Sequence, residues 1–312
     1  LSHDDPVKRR TAAEAVAVYI GDKRYLPDVI EPHPAAVLAD VVLRRPKPSK
    51  TECISAAQAL ALMGSSAAPH AGGALAALLR HSDHELKLEV GRTLRHLGPG
   101  CETGSSGVAV ALARAVATED SAVLRYEAAR ALGSIGANAA EEACWALAQA
   151  TEDEDTDVQI AAVQALGAMG SAVAGSPALS ALVRATTNGS FELRRLAVAA
   201  LACLGSSAKD AAAALGPLLR PLPASDPQLR RAAAEALGAM GSDAVREQQF
   251  WLARAMADPD EQVRQAAESA LTLGGCRRAL CGSMALGALD DTDDEDCIVH
   301  PSARKALQRT GS

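Results

Sequence analysis

The chain repeats itself, and the repeat constrains its fold more than any other feature. The segments ECISAAQALALMG (Glu52 to Gly64), LKLEVGRTLRHLG (Leu86 to Gly98), LRYEAARALGSIG (Leu124 to Gly136) and VQIAAVQALGAMG (Val158 to Gly170) align without a gap. LRRLAVAALACLG (Leu193 to Gly205), LRRAAAEALGAMG (Leu229 to Gly241), VRQAAESALTLGG (Val263 to Gly275) and VHPSARKALQRTG (Val299 to Gly311) continue the series, and a looser copy, KRRTAAEAVAVYI, ends before Gly21. In the eight close copies the fifth residue is alanine except at Val90, the eighth is alanine except at Thr93, and the ninth is always leucine. These positions fall on one face at a period near 3.6 residues, so each copy reads as an amphipathic helix with a narrow stripe of small residues. The thirteenth residue is always glycine, which predicts a left-handed cap at the helix C-terminus.

Successive terminal glycines, counted from Gly21, stand 34 to 43 residues apart. That interval holds one further helix and two turns, so each unit reads as a helical hairpin. The intervening segments PAAVLADVVLRR, PHAGGALAALLRH, EEACWALAQAT, SPALSALVRAT and REQQFWLARAMAD are apolar at helical spacing. Pro34, Pro69 and Pro177 stand where the first turn of a helix tolerates proline, whereas Pro217 falls inside its pattern and should break that helix. Apolar residues make up 48% of the 312-residue chain and aromatics 2%. Burial must therefore come from many small side chains packed at short range. One hairpin of this size cannot offset its own ordering entropy, so stability must come from stacking on neighbours.

On these residues the chain resembles the HEAT-like repeat family, and most closely its short subgroup named after the phycobilisome bilin lyases. The resemblance implies an all-α, right-handed alpha-solenoid of about nine hairpins, one array over residues 1–312. Its second helices are expected near 8–20, 52–63, 86–97, 124–135, 158–169, 193–204, 229–240, 263–274 and 299–310. The chain starts inside a second-type helix and stops one residue after the last repeat glycine. We therefore expect a portion of a longer array, or ends covered by partners.

In this family the second helices line the concave face, which implies a groove at their seventh positions: Gln58, Arg92, Arg130, Gln164, Ala199, Glu235, Ser269 and Lys305. The second position is basic at Lys87, Arg125, Arg194, Arg230 and Arg264, and the third adds Arg195 and Arg231. Two readings stand open: a ligand-facing row, or the ladder by which HEAT-type repeats bond an acid at one hairpin turn to a base on a neighbour. Arg92, Arg95 and Arg130 lie outside the ladder position and are the stronger contact candidates, beside Arg195 and Arg231. Acids gather at the hairpin turns: Asp83, Glu119 and Asp120, the run Thr151 to Asp157, Asp226, Asp258 and Asp260, and the run Asp290 to Asp296. Aspartate just before a helix caps it and complements its dipole; the two long runs exceed that need and could seat a basic partner. Phe250 with Trp251, and Trp145, are the aromatic candidates for a protein contact on the first helices; simple core burial is the competing reading.

Among enzymes of this repeat type, deoxyhypusine hydroxylase implies His-Glu pairs at the third and fourth positions of second helices. Here those positions read Leu88-Glu89, Tyr126-Glu127, Ile160-Ala161, Arg195-Leu196, Arg231-Ala232 and Gln265-Ala266, which lack the histidines an iron pair needs. Cys276 and Cys281 are a CxxxxC pair without a second pair, a weak metal signal. Neither acidic run has the glycine and terminal glutamate of a calcium loop. The expectation is a protein without a cofactor that acts as a non-catalytic interaction scaffold or adaptor in a larger assembly. The bilin lyase resemblance supplies the alternative, assembly of a pigment-binding protein. Partners are then one or more proteins, and the formal charge of -7 argues against nucleic acid. No membrane span is expected. Seven scattered cysteines point to a reducing compartment, cytoplasmic or organellar.

Overall fold

The computed structural model describes residues 33–43, 48–101, 107–221 and 226–274. The repeat copies near 8–20 and 299–310, the acidic run 290–296, Lys305 and Cys276, Cys281 and Cys297 lie outside the described residues. All regular structure among the described residues is helical, and it forms two compact units, residues 1–208 and 209–312.

In the first unit, α1 (Pro34–Leu43), α3 (Ala68–Leu78), α5 (Val108–Thr118), α7 (Ala140–Ala150) and α9 (Pro177–Asn188) form one layer. Second helices α2 (Lys50–Met63), α4 (His84–Leu97), α6 (Ala122–Ile135), α8 (Thr156–Met169) and α10 (Phe191–Leu204) form the other. Each helix packs on its hairpin partner and on its layer neighbours, the arrangement of an alpha-solenoid. The second helices begin two residues before the repeated segments because a polar side chain starts them. Ser49, Asp83, Asp155 and Ser190 accept hydrogen bonds from the amides of Glu52, Leu86, Val158 and Leu193 at 3.0–3.3 Å. Pro34, Pro69 and Pro177 occupy first-turn positions.

Each second helix of this unit ends on a glycine of positive φ, but the cap is not the left-handed one the sequence suggested. Gly64, Gly98, Gly136, Gly170 and Gly205 have φ of 57° to 69° with ψ of -138° to -152°. The reason is direction: the chain passes straight into a 3-10 turn leading to the next hairpin, and this backbone region is closed to residues with a Cβ. Beneath the caps, Ala56, Val90, Ala128, Ala162 and Ala197 are buried, as are Leu60, Leu94, Leu132, Leu166 and Leu201. The second helices approach closely. A Cβ on Gly133 would lie 3.0 Å from Cα of Ala165, and one on Gly167 would lie 3.0 Å from Cβ of Ala200. Where Thr93 replaces the eighth-position alanine, its hydroxyl donates to the carbonyls of Glu89 (2.8 Å) and Ala57 of the preceding repeat (3.2 Å).

In the second unit, α11 (Ala212–Leu215) is cut short at Gly216 and Pro217, where a 3-10 turn takes over, as the proline predicted. Helix α12 (Pro227–Ala239), capped by Asp226, packs on α15 (Glu261–Leu273), capped by Asp260. The segment expected as one helix before α15 is two, α13 (Ser242–Glu247) and α14 (Gln249–Ala255), broken at Gln248 with φ -99° and ψ 15°. The helical run Phe191–Leu219 is long and apolar enough to cross a membrane by composition. It is interrupted at Gly205, and α10 alone has 14 residues, short of the roughly 20 a span needs.

The bases at the start of the second helices form the intramolecular ladder. Lys87 Nζ lies 2.7 Å from Glu119 in the next turn, and Arg125 holds Asp153 of the next turn through two bonds of 2.8 and 2.7 Å. In the second unit Arg230 grips Asp258 the same way, at 2.7 and 2.8 Å, both side chains being buried. The same bases also brace their own turns: Arg125 donates to the carbonyls of Glu119 and Asp120, Arg194 to that of Thr186, and Arg264 to those of Asp258 and Pro259. Position 159 carries glutamine, which donates to the Asp153 carbonyl at 2.6 Å.

Asp258→Ala strips a buried guanidinium of its carboxylate and should cost about 3–5 kcal/mol in urea unfolding, whereas replacing Arg230 and Asp258 together by Met and Leu should recover most of it. The bond from Arg125 holds the Asp153 carboxyl below its ordinary value of 3.8. Its contribution is therefore present above that pH and lost as pH falls through the lower folded value. Below about pH 4, Asp153→Asn should blunt the acid loss of thermal stability.

Candidate functional site

With the small-residue stripe buried and the ladder closed, the seventh position remains the outward row of the second helices. Gln58, Arg92, Arg130, Gln164 and Ala199 are all exposed on α2, α4, α6, α8 and α10. This row holds glutamine, arginine and alanine, while the fifth and ninth positions beneath it hardly vary.

Its most structured part lies on α4 and α6. Glu127 is buried, with Oε1 3.5 Å from Arg92 Nε and Oε2 3.2 Å from Arg95 Nη1. Oε2 accepts no hydrogen bond, so the second contact is electrostatic. Arg92 also stands 3.8 Å from Glu89. Gly91 leaves the space Glu127 fills: a Cβ there would touch Cβ of Glu127 at 3.6 Å. Arg130 donates to the Tyr126 hydroxyl at 2.8 Å, its guanidinium 5.6 Å from the ring centroid, within cation–π range. Two guanidinium groups, those of Arg92 and Arg95, thus meet the carboxylates of Glu89 and Glu127, and Glu127 is buried beneath them. The side chains of Arg92 and Arg95 remain 46% and 27% exposed, so the anchored cations still present charge outward. Neither Glu127 nor Gly91 was singled out from sequence. The signal was their register, since Glu127 occupies the fourth position of a repeat whose predecessor carries arginine at the seventh and tenth.

The remaining sequence candidates lie elsewhere. Arg195 is exposed on α10 and makes no hydrogen bond or ion pair among the described residues. In the second unit Arg231 bonds Glu235 and Gln262, both at 2.8 Å, and lines a groove of about 510 Å³ between α12 and α15 with Glu235, Gln265 and Ser269. Phe250 and Trp251 meet edge to face with centroids 5.3 Å apart, and both are half-buried. The Trp251 ring lies so close to Gly216 that a Cβ there would collide with it and with the Gln248 amide, so it serves packing within its unit. Among the described residues Trp145 on α7 is exposed at 59%, and Phe191 at the start of α10 at 50%. Among the described residues no three histidine, cysteine or acidic side chains gather in a group that could hold a metal ion.

A sequence model described as HEAT repeats matches residues 72–167, 108–202 and 179–272, together more than half of the chain. The chain belongs to the HEAT-repeat family. No curated protein sequence matches it. Its HEAT repeats superpose on solved structures of engineered repeat proteins. One engineered protein shares 22% identity with a TM-score of 0.52, over 66% of this chain and 96% of its own. A computationally designed armadillo repeat protein for modular peptide recognition shares 19% with a TM-score of 0.50, over 64% and 98%. At these identities the likeness carries the fold alone.

Removing both Arg92 and Arg95 would leave Glu127 buried without its cations. The R92A/R95A variant should therefore lose more stability than the two single changes add up to. Glu127→Gln placed on that background should restore part of the loss in a thermal melt.

Proposed function

We propose that this HEAT-repeat protein is a non-catalytic interaction scaffold, and that the second-helix face of its first unit grips an extended segment of a partner protein. The observation that carries the reading is the contrast within α2 to α10: nearly uniform small residues below, and above them an exposed row that reads Gln, Arg, Arg, Gln and Ala. A surface free to vary over a fixed interior is where specificity is built in such arrays. A structural neighbour, an armadillo repeat protein designed for modular peptide recognition, supports the same use of the fold. The anchored pair Arg92 and Arg95, with Arg130 and Arg195, supports a partner segment bearing carboxylates in this stretch. Binding spread over several repeats leaves no single residue dominant. Free thiols at Cys53, Cys101, Cys144 and Cys203 support work in a reducing compartment.

The test is affinity capture from the native source with the wild-type chain and with the R130E/R195E variant, followed by mass spectrometry and cross-linking. A stoichiometric partner held by the wild type, cross-linked to α4–α10 and weakened at least about tenfold in the variant at unchanged melting temperature, is expected. Equal retention by both proteins would remove this face from the account. A visible chromophore travelling with the chain would replace the scaffold by assembly of a pigment-binding protein.

A further inference from the structure

A second surface lies on the opposite layer, in α7, and it stands independently of the face just proposed. Trp145 is 59% exposed in a chain with two tryptophans. The repeat architecture does not require it. Leu75, Leu112, Leu147 and Leu182 are the fully buried leucines of α3, α5, α7 and α9, and the residues two places before them are Gly73, Val110, Trp145 and Ser180. Glycine, valine and serine fill that outward position elsewhere, all far smaller, so packing of the hairpin does not explain an indole. An exposed tryptophan offers a large rigid apolar surface with a negative ring face.

The charged side chains of α7 itself have one sign. Glu141 and Glu142, one helical turn before it, are exposed, and neither carboxylate bonds a cation among the described residues. Helix α7 carries no lysine or arginine, and the turn that follows runs Thr151-Glu-Asp-Glu-Asp-Thr-Asp157. Some of these acids have work inside the chain: Asp153 binds Arg125, Glu152 lies 2.8 Å from Arg184, and Asp155 caps α8. Glu141 and Glu142 complement the dipole at the start of α7, which accounts for two charges but not for the ring beside them. An open aromatic face bracketed by unspent carboxylates is complementary to a cation on an apolar stem, which can lie over the ring while its charge reaches the carboxylates.

We propose that the outward face of α7 docks a basic segment of a partner protein, with one lysine or arginine stacked on Trp145 and held by Glu141 and Glu142. Contact at this face would leave the second-helix row free, so two partners could sit on the two layers at once.

The experiment measures fluorescence anisotropy of a labelled synthetic peptide of alternating lysine and alanine, titrated with the full chain at low salt, beside a peptide with glutamate for lysine. Saturable binding of the basic peptide alone is expected, weakening as salt rises. Trp145→Ser, which installs the residue α9 carries at this position, should weaken binding about tenfold. Trp145→Leu should fall short of wild type because it keeps apolar area but loses the ring face. E141Q/E142Q should cost about fivefold. Melting temperatures of all variants should stay within about 2 °C of wild type, since the altered side chains are exposed. Absence of binding, or equal binding by W145S at the same melting temperature, would overturn the proposal by showing either no site or general attraction to an acidic surface. Concentration-dependent dimers in sedimentation that W145S abolishes would also overturn it, assigning the face to a second copy of this chain.

Discussion

The close approach of neighbouring second helices is the contact on which the first unit depends. A Cβ on Gly133 would lie 3.0 Å from Ala165, and one on Gly167 3.0 Å from Ala200, so either would need the facing helix to give way. In the second unit a Cβ on Gly238 would lie 3.3 Å from Ala270, a looser form of the same contact. Helices this near each other exclude large side chains from their seam, which is why alanine fills the fifth and eighth positions and aromatics are nearly absent. Leucine at the ninth position then supplies most of the apolar volume, buried between the layers. Since each seam involves only adjacent repeats, the array holds together by nearest-neighbour contacts, and the outward positions escape any demand from the core.

Charge is divided among three tasks. Asp83, Asp155, Asp226 and Asp260 cap helices. Glu119, Asp153 and Asp258 receive the ladder bases of the preceding repeat. What remains, at Arg130 and Arg195 on one layer and at Glu141 and Glu142 on the other, has no comparable duty in holding the fold. Asp153 and Asp258 do more than close rungs, since each also accepts the amide of the capping aspartate two residues on, at 2.9 Å. One side chain thus fixes both the turn and its neighbour. That coupling explains why a base at the start of one second helix and an acid in the next turn recur together.

Much of this was legible in the sequence because repetition multiplies a weak signal. A single run such as LRYEAARALGSIG could be any amphipathic helix, but eight copies in register at a hairpin interval leave one architecture. Pro217 announced its break for the same elementary reason, a missing amide. The ladder was legible as one of two readings, since the basic second position and the acidic turns were visible but their distance was not. The conformation of the terminal glycines was hidden: positive φ follows from residue type, whereas ψ depends on where the next helix must start. Glu127 was hidden because the fourth position is serine, glutamate, alanine or leucine from copy to copy, so only the neighbouring helix reveals a carboxylate under two arginines. Trp145 and Trp251 look alike in sequence, both in apolar first-helix patterns. Their different exposure is decided by which turn of the helix faces the layer beneath.

The most direct test of nearest-neighbour cohesion is native-state amide hydrogen exchange on the wild-type chain and on Gly167→Val. A Cβ at position 167 must push α8 and α10 apart. The account predicts faster exchange in α8 and α10, a smaller rise in α6, and none in α2. A uniform rise across all these helices, or no rise at α8 and α10, would contradict it.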